Sequence, residues 1–334
     1  MQGVFSSVLG NRRVLAAMTG LAVLGAVAGC GPDLGKANFP RTTVSAEPGS
    51  GDQVPTGAIT DPAVSLEALR LVDPCRLVDK ASLADLGAPG DTRPSSFDLG
   101  MCSNSIKDAG GKNIAISVQL GNSSILSTAG ATGAVGGLPR IEDKQDATTC
   151  LVTALTSRTP ALGITVQASY PGGDPCRPAG TILQNVVKRV HDNPPKYTIT
   201  QGTLLNVDPC AVVDDSVVGE VVPASKKAST SLHSCNWNGA GPNLAIGFAI
   251  DSPPVEGSGY RKVDLGGGVT GVQKSKTTGS SECTINWQHR SIDAETGENV
   301  SVYYSYILTD GTKDDPCGKA LKITQNVMTK LPKP

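Results

Sequence analysis

The chain has 334 residues, a formal charge of −1 and 4% aromatic residues. Without residues 1–29 the balance is 27 basic against 30 acidic side chains. This charge and these sparse aromatics supply neither the basic surface nor the stacking platform of a nucleic-acid binder, so no nucleic-acid partner is expected.

The N-terminus gives the first element. Arg12 and Arg13 precede an apolar run from Val14 to Ala28, which is short for a membrane span. The run ends in Val27-Ala28-Gly29-Cys30, which resembles the bacterial lipobox, where the cysteine becomes the acylated N-terminus after cleavage. Residues 1–29 are therefore expected to be a lipoprotein signal peptide. Diacylglyceryl and acyl chains on Cys30 would anchor the protein to the outer face of the bacterial cytoplasmic membrane. Residues 30–61 are rich in Gly, Pro, Ser and Thr without apolar periodicity, and read as a flexible tether.

Beyond the tether the chain repeats itself. Asp-Pro-Cys occurs at Asp73-Pro74-Cys75, Asp174-Pro175-Cys176, Asp208-Pro209-Cys210 and Asp315-Pro316-Cys317. Cys102 and Cys150 lie between the first two copies, Cys235 and Cys283 between the last two, and each inner pair is 48 positions apart. This order implies two repeats, at 62–193 and 201–334, joined by a linker at 194–200. Asp caps a helix and Pro suits its first position, so each motif is expected to open a helix with a cysteine in its first turn.

Within the first repeat, Ile114–Leu120 alternates apolar with small or polar residues and predicts a strand. Residues 121–137 are Gly/Ser/Thr/Ala-rich and read as loop with room for a short helix. Cys150–Leu155 and Ile164–Tyr170 predict two more strands, and Thr181–Val190 a helix with Ile182, Val186 and Val190 on one face. The second repeat gives strands at Asn243–Ile250, Cys283–Trp287 and Val300–Ile307, then a helix at Leu321–Leu331. The fold class is α+β: two repeated small domains, each an antiparallel sheet flanked by N- and C-terminal helices and held by two disulfides.

Once Cys30 is set aside, eight of the nine cysteines remain, four per repeat. Four cysteines allow three pairings. The sequential one, Cys75–Cys102 with Cys150–Cys176 and Cys210–Cys235 with Cys283–Cys317, fits the preserved inner spacing. Its rival joins the two Asp-Pro-Cys cysteines to each other and the two inner ones to each other. The Asp-Pro-Cys start with Leu77 and Val78, the later Cys235-Asn236-Trp237 and the lipobox together resemble actinobacterial lipoproteins of domain of unknown function family 3558. Cys102-Ser103-Asn104 departs from this pattern, because it lacks the tryptophan. The resemblance implies no catalytic residues.

The chemistry-bearing residues are few. His191, His233 and His289 have no counterparts between repeats and read as surface side chains. Asp214-Asp215 and Asp314-Asp315 stand at expected helix starts, where capping accounts for them. Gly266-Gly267-Gly268 lacks the Lys-Ser/Thr of a phosphate loop. Cysteine and histidine spacings match no zinc site, so neither metal nor cofactor is expected. Trp237, Trp287, Tyr304 and Tyr306 concentrate the aromatics in the second repeat. Core packing is the simpler account; a ligand-facing patch is the functional one, which would make that repeat the binding half. The leading expectation is a non-enzymatic module for an envelope ligand or protein partner. The alternatives are an envelope enzyme with a site between the repeats, or a structural or sensory scaffold.

Overall fold

Two antiparallel sheets with the same strand order form the structure. The computed structural model describes residues 53–123, 130–277, 279–307 and 313–334. The expected signal peptide, Cys30 and most of the expected tether lie outside these residues. Among the described residues no helix is long and apolar enough to cross a membrane.

In the first half α1 (Leu66–Arg70) and α2 (Pro74–Leu77) lead into β1 (Ala88–Pro89), β2 (Ser95–Asp98), β3 (Met101–Lys107) and β4 (Asn113–Ser123). Then follow β5 (Ala131–Val135), β6 (Leu138–Lys144), β7 (Thr149–Arg158), β8 (Ala161–Ser169) and α3 (Cys176–Asp192). The second half has α4 (Asp215–Val221), β9 (Lys226–Ser231), β10 (Ser234–Asn238), β11 (Pro242–Asp251) and β12 (Arg261–Gly266). It closes with β13 (Val269–Lys276), β14 (Ser280–Ser291), β15 (Gly297–Ile307) and α5 (Pro316–Lys330). The first sheet runs β3-β4-β8-β7-β6-β5, with β1 and β2 beside β3. The second runs β10-β11-β15-β14-β13-β12, with β9 beside β10. Each C-terminal helix packs its apolar stripe on its own sheet: Ile182, Val186 and Val190 in α3, Ala320, Ile323 and Val327 in α5.

Several expectations are corrected. The stretch 121–137 contributes a strand, β5, and its hairpin partner β6 follows. Gly136 and Gly137 turn that hairpin with positive φ, and Gly266, Gly267 and Gly268 do the same between β12 and β13. The glycine triplet is therefore a turn that needs left-handed backbone. At Asp208-Pro209-Cys210 no helix forms. Asp208 accepts from the Cys210 amide at 3.0 Å in a turn, and the second-half helix begins only at Asp215. Residues before 62 already belong to the folded unit: Ile59 packs on the first core, and Arg158 donates to the carbonyls of Pro55 and Gly57. Residues 194–200 are likewise held, since Asp73 donates to the Pro195 carbonyl and Tyr197 to that of Leu71.

The bridges are Cys75–Cys102, Cys150–Cys176, Cys210–Cys235 and Cys283–Cys317. Each ties a helix or turn to a strand of its sheet, β3, β7, β10 and β14 in turn. The rival pairing is not formed.

Residues Ala46–Pro334 make one compact unit, and the reason lies in two hairpin tips. Leu99, in the β2–β3 turn of the first half, is buried in the core of the second half. Leu232, in the equivalent β9–β10 turn, is buried in the core of the first. Each leucine stands three residues before its inner cysteine, so the exchange is reciprocal. Polar groups fix both tips. Buried Arg70 donates through Nε to the Leu232 carbonyl at 2.7 Å and through Nη2 to Asp208 at 3.0 Å. The Tyr197 hydroxyl donates to the Leu99 carbonyl at 3.0 Å. Gly121, at φ 60°, lies so close to Leu232 that a Cβ there would collide with it.

A polar network extends this seam. Glu298 is 1% exposed and accepts from Thr203, the Leu204 amide and Arg290 at 2.6, 2.7 and 2.6 Å. Burial pushes its carboxyl up, but these donors together hold it below the usual range. His233 is buried as well, and donates from Nε2 to the Leu205 carbonyl at 2.9 Å. His289 is half-buried and donates to Gly202. None of the three histidines is the plain surface residue expected from sequence. Both tips are local turns in the sequence, and their burial depends on contacts with the other half.

Two outcomes follow. Leu232→Ala should cost about 2–5 kcal/mol, the range for buried leucine truncation, and unfolding should remain one transition monitored by tryptophan fluorescence. Burial depresses the His233 pKa to about 4, so His233 is neutral in the fold. Stability from it is complete above about pH 6.5 and falls as pH drops toward 4, by roughly 3 kcal/mol. Urea midpoints measured from pH 7 to 4 should decline, and His233→Gln should remove that part of the slope.

Candidate functional site

A groove of about 850 Å³ lies in the first half, between α3 and the β5–β6 hairpin. Arg177, Gly180, Gln184, Lys188 and His191 line it from one helical stripe, and Ala134, Val135 and Gly136 face them from the hairpin. Asp174, Arg140 and Glu142 close its sides, and Asp61 closes the far end.

Charge in the groove is mixed and locally paired. Arg140 bonds Glu142, and Lys144 lies 3.6 Å from Asp174. His191 donates from Nε2 to Asp61 at 2.6 Å, while its Nδ1 faces the Val187 carbonyl at 2.9 Å. Asp61 also caps the turn at Pro62–Val64 by accepting from the Ala63 amide. The one hydroxyl lining the groove, Thr181, donates to the Arg177 carbonyl. Glu142, Cys150 and Cys176 cluster closely enough to suggest a metal site, but both sulfurs are spent in their mutual bridge and offer no thiolate. This chemistry is that of a surface which holds ions and hydrogen-bonding groups.

The groove exists because of small residues, as the other half makes plain. Four residues after the strand cysteine stands Ala154 in the first half and Trp287 in the second. Four residues after the helix cysteine stand Gly180 and Leu321. At the end of the hairpin's first strand the core-facing residues of both halves are large, Val135 and Leu265. Trp287 and Leu265 are buried in the second core and Leu321 packs against it. In the first half Ala154 is buried in the core, while Gly180 lines the groove and the Arg140 guanidinium lies over it, where a Cβ would sit 3.3 Å from Nη2.

For the aromatics the simpler account, core packing, holds for three of the four. Trp237, Trp287 and Tyr304 are at most 2% exposed and belong to the core. They are volume fillers, not a ligand-facing patch. Tyr306 is half-buried and lies over Gly241. The Tyr304 hydroxyl accepts from Lys319 at 2.9 Å, and Lys319 pairs with buried Asp314. The open groove therefore lies in the first half, opposite to where the aromatics pointed. Sequence reasoning missed it because its signal is a lack of bulk, legible only once the two copies are aligned position by position.

No curated protein matches the chain. Among solved structures, the di-domain ARO/CYC BexL from the BE-7585A biosynthetic pathway is 10% identical, with 80% of this chain and 91% of that one covered at a TM-score of 0.17. DynU16, a putative protein of the dynemicin biosynthetic locus, is 12% identical, with 82% and 93% covered at a TM-score of 0.16. MucB in complex with MucA(peri) is 10% identical, with 76% and 98% covered at 0.12. Residues 25–189 match the family described as a protein of unknown function, DUF3558. The match takes in the half that carries the groove, and over residues 25–189 the chain belongs to the DUF3558 family.

Proposed function

We propose that the protein is a lipid-anchored binding module of the cell envelope, acylated at Cys30, and that the groove between α3 and the β5–β6 hairpin is its binding site. The observation that carries this reading is the asymmetry of two halves with one topology. The second half carries Trp287 and Leu321 where the first has Ala154 and Gly180, and the first holds a groove of about 850 Å³ lined with charge. The halves are read as a duplicated unit in which one copy binds and the other is closed. The lipobox and oxidised cysteines support an extracytoplasmic location. An enzyme with its site between the halves is less well supported: the space beside Asp98, Gln119 and His233 measures about 90 Å³.

Two variants test the reading. Cys30→Ala should abolish metabolic labelling by an alkyne fatty acid and move the protein from the membrane to the soluble fraction. Ala134→Leu, which adds bulk to the groove wall, should weaken retention of an envelope component by about tenfold while leaving the melting temperature within a few degrees. Labelling that persists in Cys30→Ala would contradict the anchor. Undiminished retention in Ala134→Leu would contradict the site.

A further inference from the structure

We infer that the groove receives an extended polypeptide, which pairs as an added strand with the outer edge of β5 and lays alternate side chains along α3. The inference rests on the groove being the binding site and specifies its ligand class.

β5 ends its sheet, and among the described residues no backbone hydrogen bond reaches its outer edge. An edge strand presents a row of donors and acceptors that another chain can complete. Proteins commonly block such edges with charge. The second half does so: its end strand β12 carries Arg261, Lys262 and Asp264. β5 reads Ala-Thr-Gly-Ala-Val and carries none. Gly133, in the middle of the strand, is buried, and Thr132 beside it is exposed. The same half thus leaves both the edge unblocked and the adjoining groove unfilled.

Dimensions agree. α3 spans Cys176–Asp192, 17 residues, or about 25 Å at 1.5 Å per residue. That length takes about seven residues of extended chain. The side chains along it carry both signs, with Arg177 and Lys188 on the helix, Arg140 and Glu142 on β6, and Asp174 and Asp192 at the helix ends. Such a wall complements the mixed side chains of a polypeptide better than a uniformly anionic polymer. A strand laid against β5 would draw its affinity from main-chain bonds and its selectivity from these charges.

The test uses the detergent-solubilised full chain and a phage-displayed library of random 12-residue peptides, with counter-selection on Ala134→Leu. Peptides should be enriched on the unmodified chain. Their synthetic forms should bind at least tenfold more weakly when alternate backbone amides are N-methylated in one register, and tolerate the other register. Thr132→Lys, on the exposed edge, should weaken them similarly with an unchanged melting temperature. Lack of enrichment, or binding indifferent to N-methylation and to Thr132→Lys, would overturn the polypeptide assignment. Cell-wall glycan fragments and anionic phospholipid vesicles are run on the same variants. If either binds and is lost in Ala134→Leu while no peptide binds, the groove stands and the polypeptide inference fails. If no probe responds to Ala134→Leu, both fail.

Discussion

The structure depends on one reciprocal exchange: each half buries a leucine from a hairpin tip of the other. Leu99 completes the second core and Leu232 the first. A β-turn that ends in a leucine cannot remain in water without exposing apolar surface, and a core lacking that leucine would hold a cavity. Both problems have the same solution only when the halves are together. The carbonyls of the two tips, which would otherwise be buried unpaired, are met by Arg70 and Tyr197. Arg70 also reaches Asp208, the capping aspartate of the third Asp-Pro-Cys turn, so the motif that opens the second half is wired to the first.

This interlock gives the two copies different freedoms. Once the halves share their cores, neither has to be stable alone. The second has taken the bulky choice at two equivalent positions, burying Trp287 and packing Leu321 against the same core. Each buried large side chain contributes about 1.5–3 kcal/mol of transfer free energy. The first half has Ala154 and Gly180 there and forgoes that stabilisation. Open, charged grooves cost stability, and they persist where binding needs them. In this protein the closed copy and four disulfides offset the open one.

Much of the architecture was legible in the sequence. Repeated Asp-Pro-Cys spacing marks where helices and bridges fall, and period-two alternation marks β4, β8, β11 and β15, because these strands bury one face against a helix. The strands that escaped notice are the outer ones. β5 is made of Ala, Thr, Gly and Val without alternation, and β12 and β13 carry charges at the sheet's end; neither offers the periodic apolar signal of a half-buried strand. The helix expected at Asp208 failed for a different reason. Its capping bond forms, yet the side chain is also engaged by Arg70, and the chain turns instead. The burial of His233 could not be read locally, because its side-chain partner, the Leu205 carbonyl, lies 28 residues away. The groove was the least legible feature. An aromatic cluster attracts attention as a binding surface, whereas here the aromatics fill the space that the other copy leaves empty.

Chemical access to paired positions tests this account most directly. Ala134→Cys and Leu265→Cys place a thiol near the tip of the corresponding hairpin in each half, one half-buried at the wall of the open groove and the other, 1% exposed, in the second core. The rate of maleimide labelling is followed by intact-protein mass spectrometry under native conditions. The account predicts labelling of Ala134→Cys at least a hundredfold faster than Leu265→Cys, with the two equal in denaturant. Equal native rates would mean that the two grooves are alike, and the division of labour between the halves would be wrong.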